Sequence, residues 1–94
     1  MSARAIFETF AKALRDKAWD MAIHMLPDQV TMNGNRVSSA DYINQLRSNI
    51  SPFTCCSYID SVIAQGDGSV VARVIHFVNQ PDRSNNQDHT FTVH

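Results

Sequence analysis

The stretch that most constrains this chain is residues 69–80, because it is apolar on both sides of an extended strand. Val70, Ala72, Val74, His76 and Val78 fall on one face, and Val71, Arg73, Ile75 and Phe77 on the other. A strand of this kind needs cover on two sides. Burying Val71, Ile75 and Phe77 is worth about 1.5–3 kcal/mol each, which a domain of 94 residues can hardly forgo. Residues 54–65 read as a partner strand, and Gly66, Asp67 and Gly68 as the tight turn between them, so the two form a long antiparallel hairpin. After a polar loop at 81–87, residues 88–94 supply a further strand.

The first half of the chain has helical periodicity. Ile6, Phe7, Phe10 and Leu14 recur at the spacing of one helix face, with Arg4, Glu8 and Lys12 elsewhere. Asp16 is placed to N-cap a second helix, in which Trp19, Ala22, Ile23 and Leu26 repeat the spacing before Pro27 and Asp28 end it. Val30 and Met32 alternate as in a short strand, followed by a turn signal at Asn33, Gly34 and Asn35. Ser38 through Asp41 resembles a capping box, opening a third helix that buries Tyr42, Ile43, Leu46 and Ile50 and stops at Ser51 and Pro52.

Composition narrows the function classes. Apolar residues make up 44% of the chain and charged residues 18%, enough for a core and too little charge for a disordered tail. A chain this short buries only about 60–65% of the surface its unfolded form exposes, so a partner subunit would add useful stability. Eight basic residues stand against nine acidic ones, spread along the chain without a basic stripe, which argues against a nucleic-acid partner. The apolar runs are far shorter than the roughly 20 residues of a membrane span, and the N-terminus has no signal-peptide core, so neither a membrane partner nor export is expected and the default address is cytoplasmic. Cys55 and Cys56 are adjacent, offer no zinc spacing, and read as two reduced, half-buried thiols. His24, His89 and His94 lack the close pairing of a metal site; no metal and no cofactor are expected.

The order helix, helix, short strand, helix, long hairpin, further strand resembles the SnoaL-like branch of the nuclear transport factor 2-like superfamily, the cystatin-like cone fold. The residues that carry the likeness are Arg15 to Asp20, Leu26 to Val30, Ser39 to Tyr42, Ile63 to Asp67 and Val70 to Arg73. The resemblance implies one α+β domain over residues 1–94, with the helices packed on a curved antiparallel sheet that encloses an apolar pocket. It also implies that family members continue into a further strand beyond 88–94, so the last strand here is either an open edge or one covered by another subunit. Ketosteroid isomerases of this superfamily carry a tyrosine on the first helix and an aspartate at the end of the first short strand. Those positions hold Phe10 and Asn33 here, and neither a phenyl ring nor a carboxamide can do that acid–base work.

Comparison with the family turns the even residues of 69–80 toward the helices. The expected pocket is then lined by Phe10, Trp19, Tyr42, Ile59, Val74, His76 and Asn33. His76 is the candidate base: desolvation favours its neutral form. The bland alternative is a core histidine satisfied by Tyr42 or a backbone carbonyl, and Trp19 likewise reads as core before pocket wall. The odd residues Val71, Arg73, Ile75 and Phe77, with Cys56 and Tyr58 of the neighbouring strand, read as a sheet-to-sheet homodimer interface. Three functions fit the sequence: a homodimeric binder of a small apolar ligand; a lyase or isomerase with His76 as base and Tyr42 or Asn33 steadying negative charge; and an interaction module with a solid core and an open sheet edge.

Overall fold

The computed structural model describes residues 2–50, 54–78 and 86–94. Helix α1 (Ala3–Arg15) is N-capped by Ser2, whose hydroxyl accepts from the Ala5 amide at 3.2 Å, and it buries Phe7, Phe10, Ala11, Ala13 and Leu14 along one stripe. Helix α2 (Trp19–His24) follows almost at once. Asp16 does not cap α2; it is the C-cap of α1. The chain leaves α1 through a Schellman motif, in which the Ala18 amide donates to the Ala13 carbonyl at 2.9 Å and the Lys17 amide to Leu14 at 3.1 Å. That motif requires a left-handed residue, and Lys17 supplies it at φ 58°.

Strands β1 (Gln29–Met32) and β2 (Asn35–Ser38) form a hairpin with Met32 opposite Asn35. Asn33 at φ 52° and Gly34 at φ 81° occupy its two turn positions, the left-handed pair that a right-twisted hairpin favours. Ser38 then N-caps α3 (Ser39–Gln45), accepting from the Asp41 amide at 3.1 Å, and the helix runs on into a π-helical turn, Leu46–Ile50. The expected stop at Ser51 and Pro52 lies outside the described residues.

Three longer strands complete an antiparallel sheet: β3 (Cys56–Ala64), β4 (Val70–Phe77) and β5 (Asn86–Val93), in the order β2-β1-β5-β4-β3. The protein is therefore α+β, with an N-terminal helix packed on a five-stranded antiparallel sheet. The last strand is not an edge. It lies between β4 and β1, with Thr31 opposite Thr92, so the expected open or subunit-covered edge at residues 88–94 is corrected. β3 is the long edge, and α1 covers it. Arg15 Nη1 donates to the Ser57 carbonyl at 2.7 Å, and Arg4 donates to the carbonyls of Ile59 and Asp60 at 3.3 and 3.4 Å. Those acceptors would otherwise invite a foreign strand.

On β4 the parity read from the sequence holds: Ala72, Val74 and His76 are buried while Val71, Arg73, Ile75 and Phe77 are half-buried on the other side. On β3 it changes partway. Ile59 pairs with Val74 but Ser61 pairs with Arg73, so a bulge at Asp60 switches the inward set from Ser57 and Ile59 to Val62. The core closes on Phe91 of β5, whose ring centroid lies 5.7 Å from Phe7, 5.7 Å from Phe10 and 5.0 Å from Tyr42.

A side chain at φ 58° costs about 1–2 kcal/mol relative to glycine, partly offset by the greater freedom of glycine in the unfolded chain. Lys17→Gly is expected to stabilise the fold by about 0.5–1 kcal/mol, a rise of roughly 2–8 °C in thermal midpoint by calorimetry. An unchanged or lower midpoint contradicts the assignment of Lys17 to the helix stop.

Candidate functional site

Antiparallel register brings the chemistry of β3, β4 and β5 onto one inner face. Ser57 lies opposite His76, and Val74 opposite His89, so Ser57, His76 and His89 share the side that the helices cover. Tyr42 reaches the same region from α3. The result is a continuous hydrogen-bonded chain of four side chains. Ser57 Oγ lies 2.7 Å from His76 Nδ1, His76 Nε2 lies 3.2 Å from His89 Nδ1, and His89 Nε2 lies 2.6 Å from the Tyr42 hydroxyl. The two imidazoles are nearly parallel, with centroids 5.0 Å apart.

Charge is disfavoured along this chain. Burial, reinforced by the neighbouring His89, lowers the His76 pKa to about 4. Burial lowers His89 to about 4 as well, against the opposing pull of the Asp88 carboxylate. Burial also raises the Tyr42 phenol well above its ordinary value. Near neutral pH every member is therefore uncharged, and each imidazole carries a single N–H. All three bonds then form in one of two senses: Ser57 donates to His76 and the donation runs on to Tyr42, or Tyr42 donates to His89 and it runs back to Ser57. Among the described residues no buried side-chain nitrogen or oxygen lacks a partner.

His76, read from the sequence as the candidate base, sits here with both ring nitrogens engaged and 2% exposed. His89, which has no close partner in the sequence, stands directly against His76. Ser57 and Phe91 join the site without a motif to mark them. The only local signal for the last strand was the shared parity of His89, Phe91 and Val93. Tyr42 satisfies the His pair through His89, a contact no local pattern encodes.

Two openings flank this core at opposite ends of α1. One is a cleft at the Ser57 and His76 end, walled by Arg15, Lys17, Trp19, Cys55 and Cys56, with about 20 Å³ of free space, enough for about one water. The other is a hollow of about 190 Å³ between the start of α1, the end of α2 and the ends of β4 and β5. Ile6, Phe7, Phe10, Met25, Leu26, Val70 and Val93 line it, and its surface is almost wholly apolar. The residues expected to share one pocket are thus distributed. Phe10 (1% exposed) floors the hollow, Trp19 and His76 line the cleft, and Tyr42, Ile59 and Val74 are packed in the core. Asn33 is exposed in the β1–β2 turn.

The outer face carries Cys56, Tyr58, Val71, Arg73, Ile75 and Phe77. Tyr58 and Phe77 meet edge to face at 5.7 Å, and Arg73 bridges Asp60 Oδ2 (2.9 Å) and Asp88 Oδ2 (2.8 Å). The paired guanidinium holds the Asp88 carboxyl below its usual range. Cys55 and Cys56 are joined as a disulfide between neighbours, which corrects the expectation of two reduced thiols. Among the described residues no three His, Cys, Asp or Glu side chains are grouped to hold a metal ion, and no helix is long and apolar enough to cross a membrane.

In comparisons with known proteins the chain matches no family model, and no curated protein or solved structure matches it.

The buried histidines set a pH dependence. Their folded pKa values lie below the unfolded value of about 6.5, so between pH 6.5 and 4 the unfolded chain binds more protons. Stability is complete above pH 6.5 and declines as pH falls to about 4, by about 3 kcal/mol for His76 taken alone. The depressed carboxyls of Asp67 and Asp88 lose their contribution only below the ordinary carboxylate range of about 3.9. Urea unfolding across this window is expected to show that decline; a flat profile from pH 7 to 4.5 contradicts buried neutral histidines.

Proposed function

We propose that this chain is a homodimeric small-molecule-binding protein on the cone of the nuclear transport factor 2-like superfamily, taking a compact apolar compound in the hollow beside Phe10. The observation that carries the reading is the contrast in room. The histidine cleft has space for about one water, whereas the hollow's 190 Å³ exceeds the roughly 150 Å³ that suffices for benzene in an apolar cavity. With scarcely any polar surface to fix orientation, burial of apolar area drives binding, and a monocyclic aromatic or short branched aliphatic compound fits best. The cone reading draws support from helices on one side of the sheet and from the Asp60 bulge, a device that bends strands.

The second copy belongs on the outer face. Tyr58, Ile75 and Phe77 present apolar area there, and Arg73 meets its counter-charges within its own protomer, which lowers the cost of covering it. An enzyme reading is favoured by one feature alone, the Ser57–His76–His89–Tyr42 chain. Proton transfer would have to pass through the Ser57 hydroxyl, since neither nitrogen of His76 is free.

A thermal-shift panel of small apolar compounds tests the binding. A ligand at ten times its Kd is expected to raise stability by about 1.4 kcal/mol, or about 6–11 °C, and Met25→Trp, which obstructs the hollow, to abolish the shift. No shift across the panel overturns the reading. Sedimentation velocity is expected to give a dimer for the native chain and a folded monomer for Ile75→Arg; a native monomer at tens of micromolar removes the dimer.

A further inference from the structure

The Cys55–Cys56 pair stands at the mouth of the narrow cleft, away from the hollow. Cys55 is exposed and Cys56 half-buried. The pair is anchored where β3 begins, with the Cys55 amide donating to the Phe77 carbonyl at 2.8 Å and the Thr54 hydroxyl to Ile50 at 3.1 Å. A disulfide stabilises mainly by closing a loop in the unfolded chain, and the effect grows with loop length. Between neighbours the loop is the shortest there is. The bond therefore contributes little to holding the fold, and its use must be sought in its chemistry.

The surroundings suit sulfur chemistry. Arg15 and Lys17 line the same cleft and, among the described residues, carry the formal charges on its wall. Arg15 is held in place by its bond to the Ser57 carbonyl and by stacking 4.7 Å over the Tyr58 ring. The backbone of Lys17 is set by the helix stop, at the rim of the cleft. Cations beside a cysteine favour the thiolate, which is the species that attacks and the species that leaves.

We propose that Cys55–Cys56 is a thiol–disulfide exchange site whose co-reactant is a small monothiol. The monothiol, as its thiolate, attacks the exposed Cys55 sulfur. A mixed disulfide forms there, the bond between the two cysteines breaks, and Cys56, which borders the cleft that Arg15 and Lys17 line, leaves as a thiolate. A second monothiol attacks the outer sulfur of the mixed disulfide, releasing a symmetric disulfide and the Cys55 thiolate. The protein gains two electrons and two protons, and two monothiols become one disulfide. The reverse runs from the dithiol and an oxidised monothiol.

Trp19 makes the reaction visible. It is the chain's single tryptophan and lines the same cleft, and a disulfide nearby quenches an excited indole by accepting an electron. The experiment incubates the native chain with reduced and then oxidised glutathione. It follows Trp19 emission, thiols titrated with a chromogenic disulfide, and intact mass. Reduced glutathione is expected to raise emission, expose two titratable thiols per chain where there were none, and add the mass of two hydrogens; oxidised glutathione reverses all three. Cys55→Ser with Cys56→Ser is expected to leave emission unresponsive. A native chain whose thiol count and mass stay constant in both buffers, whether reduced or oxidised throughout, overturns the proposal. Because the native chain carries the readout, the test does not depend on the variant folding.

Discussion

The register between β4 and β5 is the constraint on which the rest of the structure depends. Pairing Ala72 with Phe91 and Val74 with His89 places an aromatic ring and an imidazole on the inner face, next to His76. A one-residue slip would turn Asp88 and Thr90 inward and send His89 and Phe91 to the outside. Phe91 would then no longer meet Phe7, Phe10 and Tyr42, and His76 would face its apolar neighbours without a partner for Nε2. Leaving a buried polar group unpaired costs about 1–3 kcal/mol, so the histidine chain pins the register as firmly as the hydrophobic contacts do.

The same register divides the interior. Phe10 and Phe91 stand between the apolar hollow at one end of α1 and the hydrogen-bonded chain at the other. One end of the molecule offers room without polar groups. The other offers polar groups almost without room. This division is why the proposed ligand is placed in the hollow and not beside His76. Arginines serve a different purpose on each border: Arg4 and Arg15 close the β3 edge, while Arg73 holds two carboxylates together on the outer face.

Features with a local signature were legible in the sequence. The alternation of Val70 to Phe77, the Ser38 cap and the Asn33-Gly34 turn each depend on residues within a few positions, and each is present. The missed features are long-range or break a local rule. The Asp60 bulge reverses the facing of β3 without a glycine to announce it. Lys17 ends a helix in a conformation that usually asks for glycine, so Asp16 looked like the start of the next helix instead. His89 and Ser57 become partners of His76 only through strand pairing, and the placing of β5 between β1 and β4 depends on pairings that no stretch of residues encodes alone. The residues of the expected pocket lie at separate places for a related reason: parity identifies which side chains point inward, but not whether they meet one another or leave space.

The most direct measurement is a side-chain NMR titration of the protein with a small aromatic probe such as indole. The account predicts saturable shifts in the methyl signals of Leu26, Val70 and Val93 while the ring signals of His76 and His89 stay in place. Shifts confined to the two histidines, with the methyls of the hollow unmoved, would contradict it.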